Sequence, residues 1–107
     1  MFKLIFYVPV ENAESVKQAC FEAGAGRIGE YEACSFETLG IGQFRALEQA
    51  NPTLGKRGVL EKVDELKIEM VCEDEIIIQA VEAMIQAHPY EEPAYQIFQC
   101  LTLDDLT

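Results

Sequence analysis

Among its 107 residues the chain has no tryptophan, a single histidine, and eight lysines and arginines against nineteen aspartates and glutamates, a formal net charge of −11. So few cations argue against a nucleic-acid partner, because affinity for DNA or RNA comes mainly from basic side chains neutralising phosphates. One histidine, with no serine or cysteine spaced to pair with it, excludes a nucleophilic triad readable from spacing. Cys20, Cys34, Cys72 and Cys100 are far apart and form no C-x-x-C pair, so neither a zinc ribbon nor a thioredoxin-type motif is present and reduced thiols are expected. No apolar run is long enough to span a bilayer, and the stretch from Phe2 to Val8 is too short for a signal-peptide core. The expected location is the cytoplasm, with no membrane partner.

What is present fits one domain over residues 1–107. Half the residues are hydrophobic and a quarter charged, a globular balance, and a chain of this length buries roughly two-thirds of its unfolded surface. Phe2, Leu4, Phe6 and Val8 share one face of a first strand that Pro9 ends. Asn12 is placed to cap a helix whose Val16, Ala19, Cys20 and Ala23 recur at helical spacing until Gly24 stops it. The mixture from Ile28 to Ile41 predicts a second strand, broken by Gly40 and Gly42. Residues 42–62 have no sustained period and read as a long excursion, a length that is itself a sign of binding.

Leu66, Ile68, Met70 and Cys72 then alternate with more polar neighbours as a third strand. Asp74 is placed to cap a second helix with Ile77, Val81, Met84 and Ile85 as its apolar stripe, which His88 extends and Pro89 stops. Ala94 to Leu103 reads as a closing strand ahead of an acidic tail at Asp104 and Asp105. The order β-α-β, excursion, β-α-β is that of an α+β, ferredoxin-like sandwich: an antiparallel four-stranded sheet with two helices on one face. Ile5, Tyr7 and Val71 then fall on the uncovered face, so a homo-oligomer built by sheet packing is expected.

Three motifs carry or imitate chemistry. Gly24-Ala25-Gly26-Arg27-Ile28-Gly29 has dinucleotide-binding glycine spacing, but it follows a helix and precedes a strand, the reverse of the order that aims a helix N-terminus at a pyrophosphate. It reads as a helix stop and tight turn. His88-Pro89-Tyr90-Glu91-Glu92-Pro93 gathers an imidazole, a phenol and two carboxylates around a stiffened bend. Two readings stand. In one, His88, Tyr90, Glu91 and Glu92 contact a ligand, or His88, Glu91 and Glu92 hold a divalent metal ion completed by Glu61, Cys34 or another subunit. In the other, His88 donates to the last carbonyls of its helix, as an imidazolium suited to the negative dipole end, and the glutamates are solvated. Arg45, Lys56 and Arg57 beside Gly55 and Gly58 are a candidate anion site, or solvated loop charges.

Several of these motifs occur in a characteristic order. Gly24 to Tyr31, Cys34-Ser35-Phe36, Gly40 to Phe44, Asn51-Pro52, Gly55, Leu60 to Val63 and His88 to Tyr95 together closely resemble the YqfO-type module of the Nif-three-like (NGG-interacting factor three) family. That module is inserted between the halves of a dinuclear-metal protein, and it is similar to the PII signal-transduction and CutA ion-tolerance proteins. The resemblance implies a PII/CutA-like fold, commonly trimeric, and a long middle connection that meets partners. It implies no dinuclear site here, since the metal-binding histidines belong to the flanking halves. One departure is Ala46, where such modules often carry proline.

The expectation is therefore a small non-enzymatic binding or regulatory module, a trimer or dimer, that takes a divalent metal ion or small ligand near His88 to Pro93. The alternative is a purely structural, oligomerising interaction module without a ligand.

Overall fold

The alternation in the first strand decides the layering. In the computed structural model, which describes all 107 residues, β1 (Phe2–Pro9) buries Leu4, Phe6 and Val8 completely on one face. Burying each of these side chains stabilises the fold by roughly 1.5–3 kcal/mol. Pro9 has no N–H to continue a ladder, and a 3-10 turn at Val10–Asn12 leads into α1 (Ala13–Glu22), which sinks Ala13, Val16 and Cys20 onto the strand. β2 (Phe36–Arg45), β3 (Leu60–Cys72), α2 (Ile77–Ala87) and β4 (Tyr95–Gln99) follow, and a single turn, α3 (Leu103–Leu106), comes last. The sheet order is β2-β3-β1-β4, every pair antiparallel. Both long helices cover the face that carries Leu4, Phe6, Val8, Ile68, Met70 and Cys72, and α2 adds Ile77, Ala80, Val81 and Met84 to the core. This is the ferredoxin-like arrangement. No helix is long and apolar enough to cross a membrane.

The register places Lys3, Ile5, Tyr7, Lys67, Glu69, Val71, Gln96 and Phe98 on the opposite, helix-free face. Ile5, Tyr7 and Val71 lie there as the alternation predicts. The β2–β3 ladder continues to Arg45↔Leu60, whereas β1 leaves β3 at Pro9↔Glu65. Its outer half therefore projects as a two-stranded arm, and the molecule measures 52 × 24 × 23 Å.

Several boundaries differ from those expected of the sequence. The strand expected from Ile28 begins only at Phe36, because Gly29 (φ 56°) and Ala33 (φ 57°) take left-handed conformations that break an extended chain. Only an isolated Ile28–Tyr31 bridge remains. Gly40 and Gly42, expected as breakers, lie inside β2. A Cβ at Gly42 would collide with the Glu65 carboxylate, so glycine here admits that side chain from the neighbouring strand. The excursion accordingly shortens to residues 46–59. Asn12 precedes α1 without a side-chain cap, and Asp74 pairs with the Met1 amine at 2.6 Å instead of capping α2. β4 ends at Gln99, and the acidic tail is part of α3: Thr102 and Asp105 form a capping box in which the Asp105 carboxylate accepts the Thr102 N–H at 2.7 Å.

Gly24 (φ 109°) and Gly26 (φ 77°) end α1 and turn the chain, the role given to this glycine run instead of cofactor binding. A Cβ on Gly26 would stand 2.8 Å from the Phe21 ring and 3.0 Å from the Cys34 carbonyl. Gly26→Ala should therefore lower stability by about 1–3 kcal/mol in urea denaturation; a change within about 0.5 kcal/mol would show that the turn carries no strain cost.

Candidate ligand site

His88 organises the end of the molecule where the candidate residues gather. The Met1 carbonyl accepts from the Cys100 N–H of the β4 side, so the odd-numbered carbonyls of β1 point toward β4. The ladder with β4 stops at Phe6↔Tyr95, which leaves the Tyr7 carbonyl without a strand partner. His88 Nε2–H donates to it at 2.7 Å, and His88 Nδ1 accepts the Tyr90 N–H at 3.1 Å. The imidazole is thus a neutral Nε2–H tautomer, 6% exposed, with both nitrogens engaged by backbone. Burial lowers its pKa, partly offset by the Tyr7 carbonyl and the Glu65 charge.

This geometry corrects both readings of His88. A ring with no free nitrogen cannot ligate a metal ion, and a neutral ring donating to β1 is not an imidazolium on its own helix carbonyls. Nor does any group of three histidine, cysteine, aspartate or glutamate side chains lie close enough to hold a metal. Glu61 packs under the excursion instead, its Cγ 2.6 Å from where a Cβ of Gly55 would stand. Cys34 directs its Sγ at the Glu32 carbonyl at 3.7 Å and borders a separate depression with Lys3, Phe36 and Glu69.

Held in this way, the turn carries Tyr90 to the helix-free face, where its hydroxyl donates to Glu65 Oε2 at 2.7 Å. Burial raises the phenol pKa, and the Glu65 hydrogen bond raises it further, so Tyr90 stays a donor at any ordinary pH. Its ring meets Phe44 at a centroid distance of 5.9 Å and His88 at 5.0 Å. Glu91 Oε1 accepts the Asn51 N–H at 3.0 Å and so fastens the excursion to the turn. Together these elements enclose a cavity of about 240 Å³. Tyr7, Phe44 and Glu65 come from the sheet, Ala46, Ala50 and Leu54 from the excursion, and Tyr90, Glu91 and Glu92 from the turn.

Of the sequence candidates, then, Tyr90, Glu91 and Glu92 share one cavity and His88 supports it from behind. Arg45, Lys56 and Arg57 do not line it. Arg45 and Lys56 are exposed, and Arg57 Nε donates to the Ala50 carbonyl, bracing the excursion. Sequence reasoning missed Glu65, Tyr7 and Phe44. The only signal that could have found Glu65 is the Gly40–Gly42 pair: Gly40 is paired with Glu65 in the ladder, and Gly42 leaves room for its carboxylate. The buried thiols are inert: desolvation pushes Cys20 up to about 12 and Cys72 to about 11.

Compared with models of protein families, the chain matches none. It is 48% identical over 96 residues to a Mycobacterium tuberculosis protein named GTP cyclohydrolase 1 type 2 homolog, a match covering 90% of this chain and 25% of that one. Among solved structures, a Bacillus cereus protein related to NIF3 superposes with a TM-score of 0.77 at 39% identity, over 91% of this chain and 24% of that chain. The periplasmic divalent cation tolerance protein CutA from Archaeoglobus fulgidus gives 0.65 at 16% identity, over 94% of this chain and 84% of that one. The PII-like protein CutA from Nostoc gives 0.66 at 16%, over 94% and 81%. The last two establish the fold alone, and the chain spans about a quarter of the length of the GTP cyclohydrolase 1 type 2 homologs it matches.

Removing the imidazole leaves the Tyr7 carbonyl and the Tyr90 N–H without partners, so His88→Ala should cost roughly 1–3 kcal/mol at pH 7.5. Because folding lowers the pKa of His88 from its ordinary 6.5, the unfolded chain binds the proton more readily. The stability contributed by the neutral ring is fully present above pH 6.5 and is lost as pH falls toward the folded value. Thermal denaturation from about pH 8 to 5 should show the gap between wild type and His88→Ala narrowing below the ordinary histidine pKa; a constant gap would rule out the neutral ring. Over nine-tenths of its length this chain is thus similar to a segment of the GTP cyclohydrolase 1 type 2 homologs and of the NIF3-related protein, and it shares the fold of the CutA structures.

Proposed function

We propose that the chain is a non-enzymatic, cytoplasmic module that binds a small ligand in the cavity between the helix-free sheet face, the excursion and the His88–Pro93 turn. The observation that carries this reading is the convergence on one cavity of Tyr90, Glu91 and Glu92 with Glu65, which lies 25 residues away from Tyr90 in sequence. The polar groups are anchored before any ligand arrives: Tyr90 to Glu65, Glu91 to Asn51, His88 to Tyr7. Such preorganisation lowers the ordering cost of binding. A volume of about 240 Å³ lies below the roughly 300–1,000 Å³ of pockets for drug-sized molecules, which favours a small occupant.

Binding without turnover is favoured by the state of the reactive groups. The one imidazole is engaged by backbone on both sides, and the deeply buried thiol of Cys20 is protonated. The names of the longer relatives describe whole proteins of which this chain spans a quarter, so no cyclohydrolase step is assigned to it. The Archaeoglobus protein is named for divalent cation tolerance, which keeps a metal ion among the ligands to be tried, although a three-ligand cluster would then need groups from a second molecule.

A purely structural, oligomerising role is favoured by one different observation. Phe36, Leu39 and Ile41 on β2 and Ile97 and Phe98 on β4 are exposed apolar side chains on the two edge strands, a pattern typical of surfaces that meet another chain.

Calorimetry with divalent cations, nucleotides and small amines separates the readings. Heat that saturates for at least one ligand, and that Ala94→Trp abolishes by filling the cavity, is expected. Silence for every ligand, with light scattering showing an oligomer that Leu39→Glu dissociates, would leave the structural role alone.

A further inference from the structure

The chemistry of the cavity wall narrows the ligand class, an inference that rests on the cavity being a binding site. We propose that it receives a small organic ammonium or guanidinium compound, seated on the Phe44 and Tyr90 rings and neutralised by Glu65, Glu91 and Glu92. No lysine, arginine or histidine lines the cavity: Arg57, whose Nε donates to the Ala50 carbonyl, stands outside the lining with Arg45 and Lys56. A phosphate or carboxylate entering here would meet three carboxylates and no counter-charge, which disfavours nucleotides and other anions.

All the charged capacity on offer is acceptor, and Gln43 and Thr53 are the uncommitted side-chain donors of the lining. Tyr90 has committed its hydroxyl proton to Glu65 and Tyr7 its own to Gln96, and the Asn51 N–H is taken by Glu91. Glu65 and Glu91 each keep an oxygen beyond these bonds, and Glu92 makes no hydrogen bond or ion pair within the chain. A ligand that satisfies such a wall brings N–H donors and positive charge. A bare metal ion is the weaker candidate, since these carboxylates do not form a three-ligand group and His88 has no free nitrogen. The rings supply what an ammonium uses and an inorganic cation does not: tilted aromatic faces at a centroid distance of 5.9 Å, flanked by Ala46, Ala50 and Leu54 for the methylene part of the ligand.

The test is titration of the full chain with putrescine and agmatine at about 150 mM salt, a concentration that screens the general attraction of an acidic surface, alongside AMP and zinc chloride. At least one amine should bind saturably at one per cavity. Glu65→Gln and Phe44→Leu should weaken it about tenfold or more, and Glu92→Gln, at an exposed position where folding is not at stake, should weaken it as well. Glu30→Gln, outside the cavity, should not. Equal weakening by Glu30→Gln, or binding that does not saturate, would reduce the effect to surface electrostatics and overturn the proposal. If AMP or zinc binds in an Ala94→Trp-sensitive way and no amine does, the ligand class is wrong and the cavity reading stands. If nothing binds, both fail.

Discussion

Everything distinctive about one end of this molecule depends on a buried imidazole held between two backbone groups. β4 is too short to cover β1 to its end, so the Tyr7 carbonyl would be left with no strand partner. His88 supplies the missing donor from the C-terminus of α2 and, through its other nitrogen, takes the Tyr90 N–H. One side chain thereby joins a helix end, a strand end and the turn between them. Burying a polar group costs little only when its hydrogen bonds are complete, and here they are. The ring is consequently structural, and its influence on the cavity is exerted by placing Tyr90.

From that anchor the cavity assembles by short steps. Tyr90 reaches Glu65, which lies over Gly42 in the adjacent strand, and Glu91 holds the Asn51 N–H of the excursion. Three segments distant in sequence become one wall. The charge of the chain acquires a local meaning there. A few carboxylates find partners, as in Lys3 with Glu69 at 2.7 Å and Lys17 with Glu14 and Glu37 at 3.1 and 2.8 Å, contacts that contribute little to stability. In the cavity, three carboxylates remain without cations.

Much of the fold was legible because periodicity is a local property. The Leu66 to Cys72 alternation and the Phe2 to Val8 face predicted two strands whose inward residues pack into the core, Phe2 and Leu66 at its edge, and Gly24 marked the end of α1. Boundaries failed where a local rule met a longer-range one. Gly40 and Gly42 read as breakers, yet the continuous ladder with β3, from Phe36↔Glu69 to Arg45↔Leu60, carries β2 through them. Asp74 read as a cap, but the Met1 amine, brought beside it by β1–β3 pairing, took the carboxylate.

By itself the sequence determined the element order, the core faces, the improbability of a nucleic-acid partner and the chemical character of the His88–Pro93 run, since each follows from residue types at fixed spacing. Only the tertiary structure decided what that run does. A donor's role depends on which acceptor is left open, and the acceptor at Tyr7 is left open by the length of a strand from the far end of the chain. The same holds for the site: Glu65, Phe44 and Tyr90 carry no joint signal along the chain, because their proximity is a consequence of strand register and of which face the turn reaches.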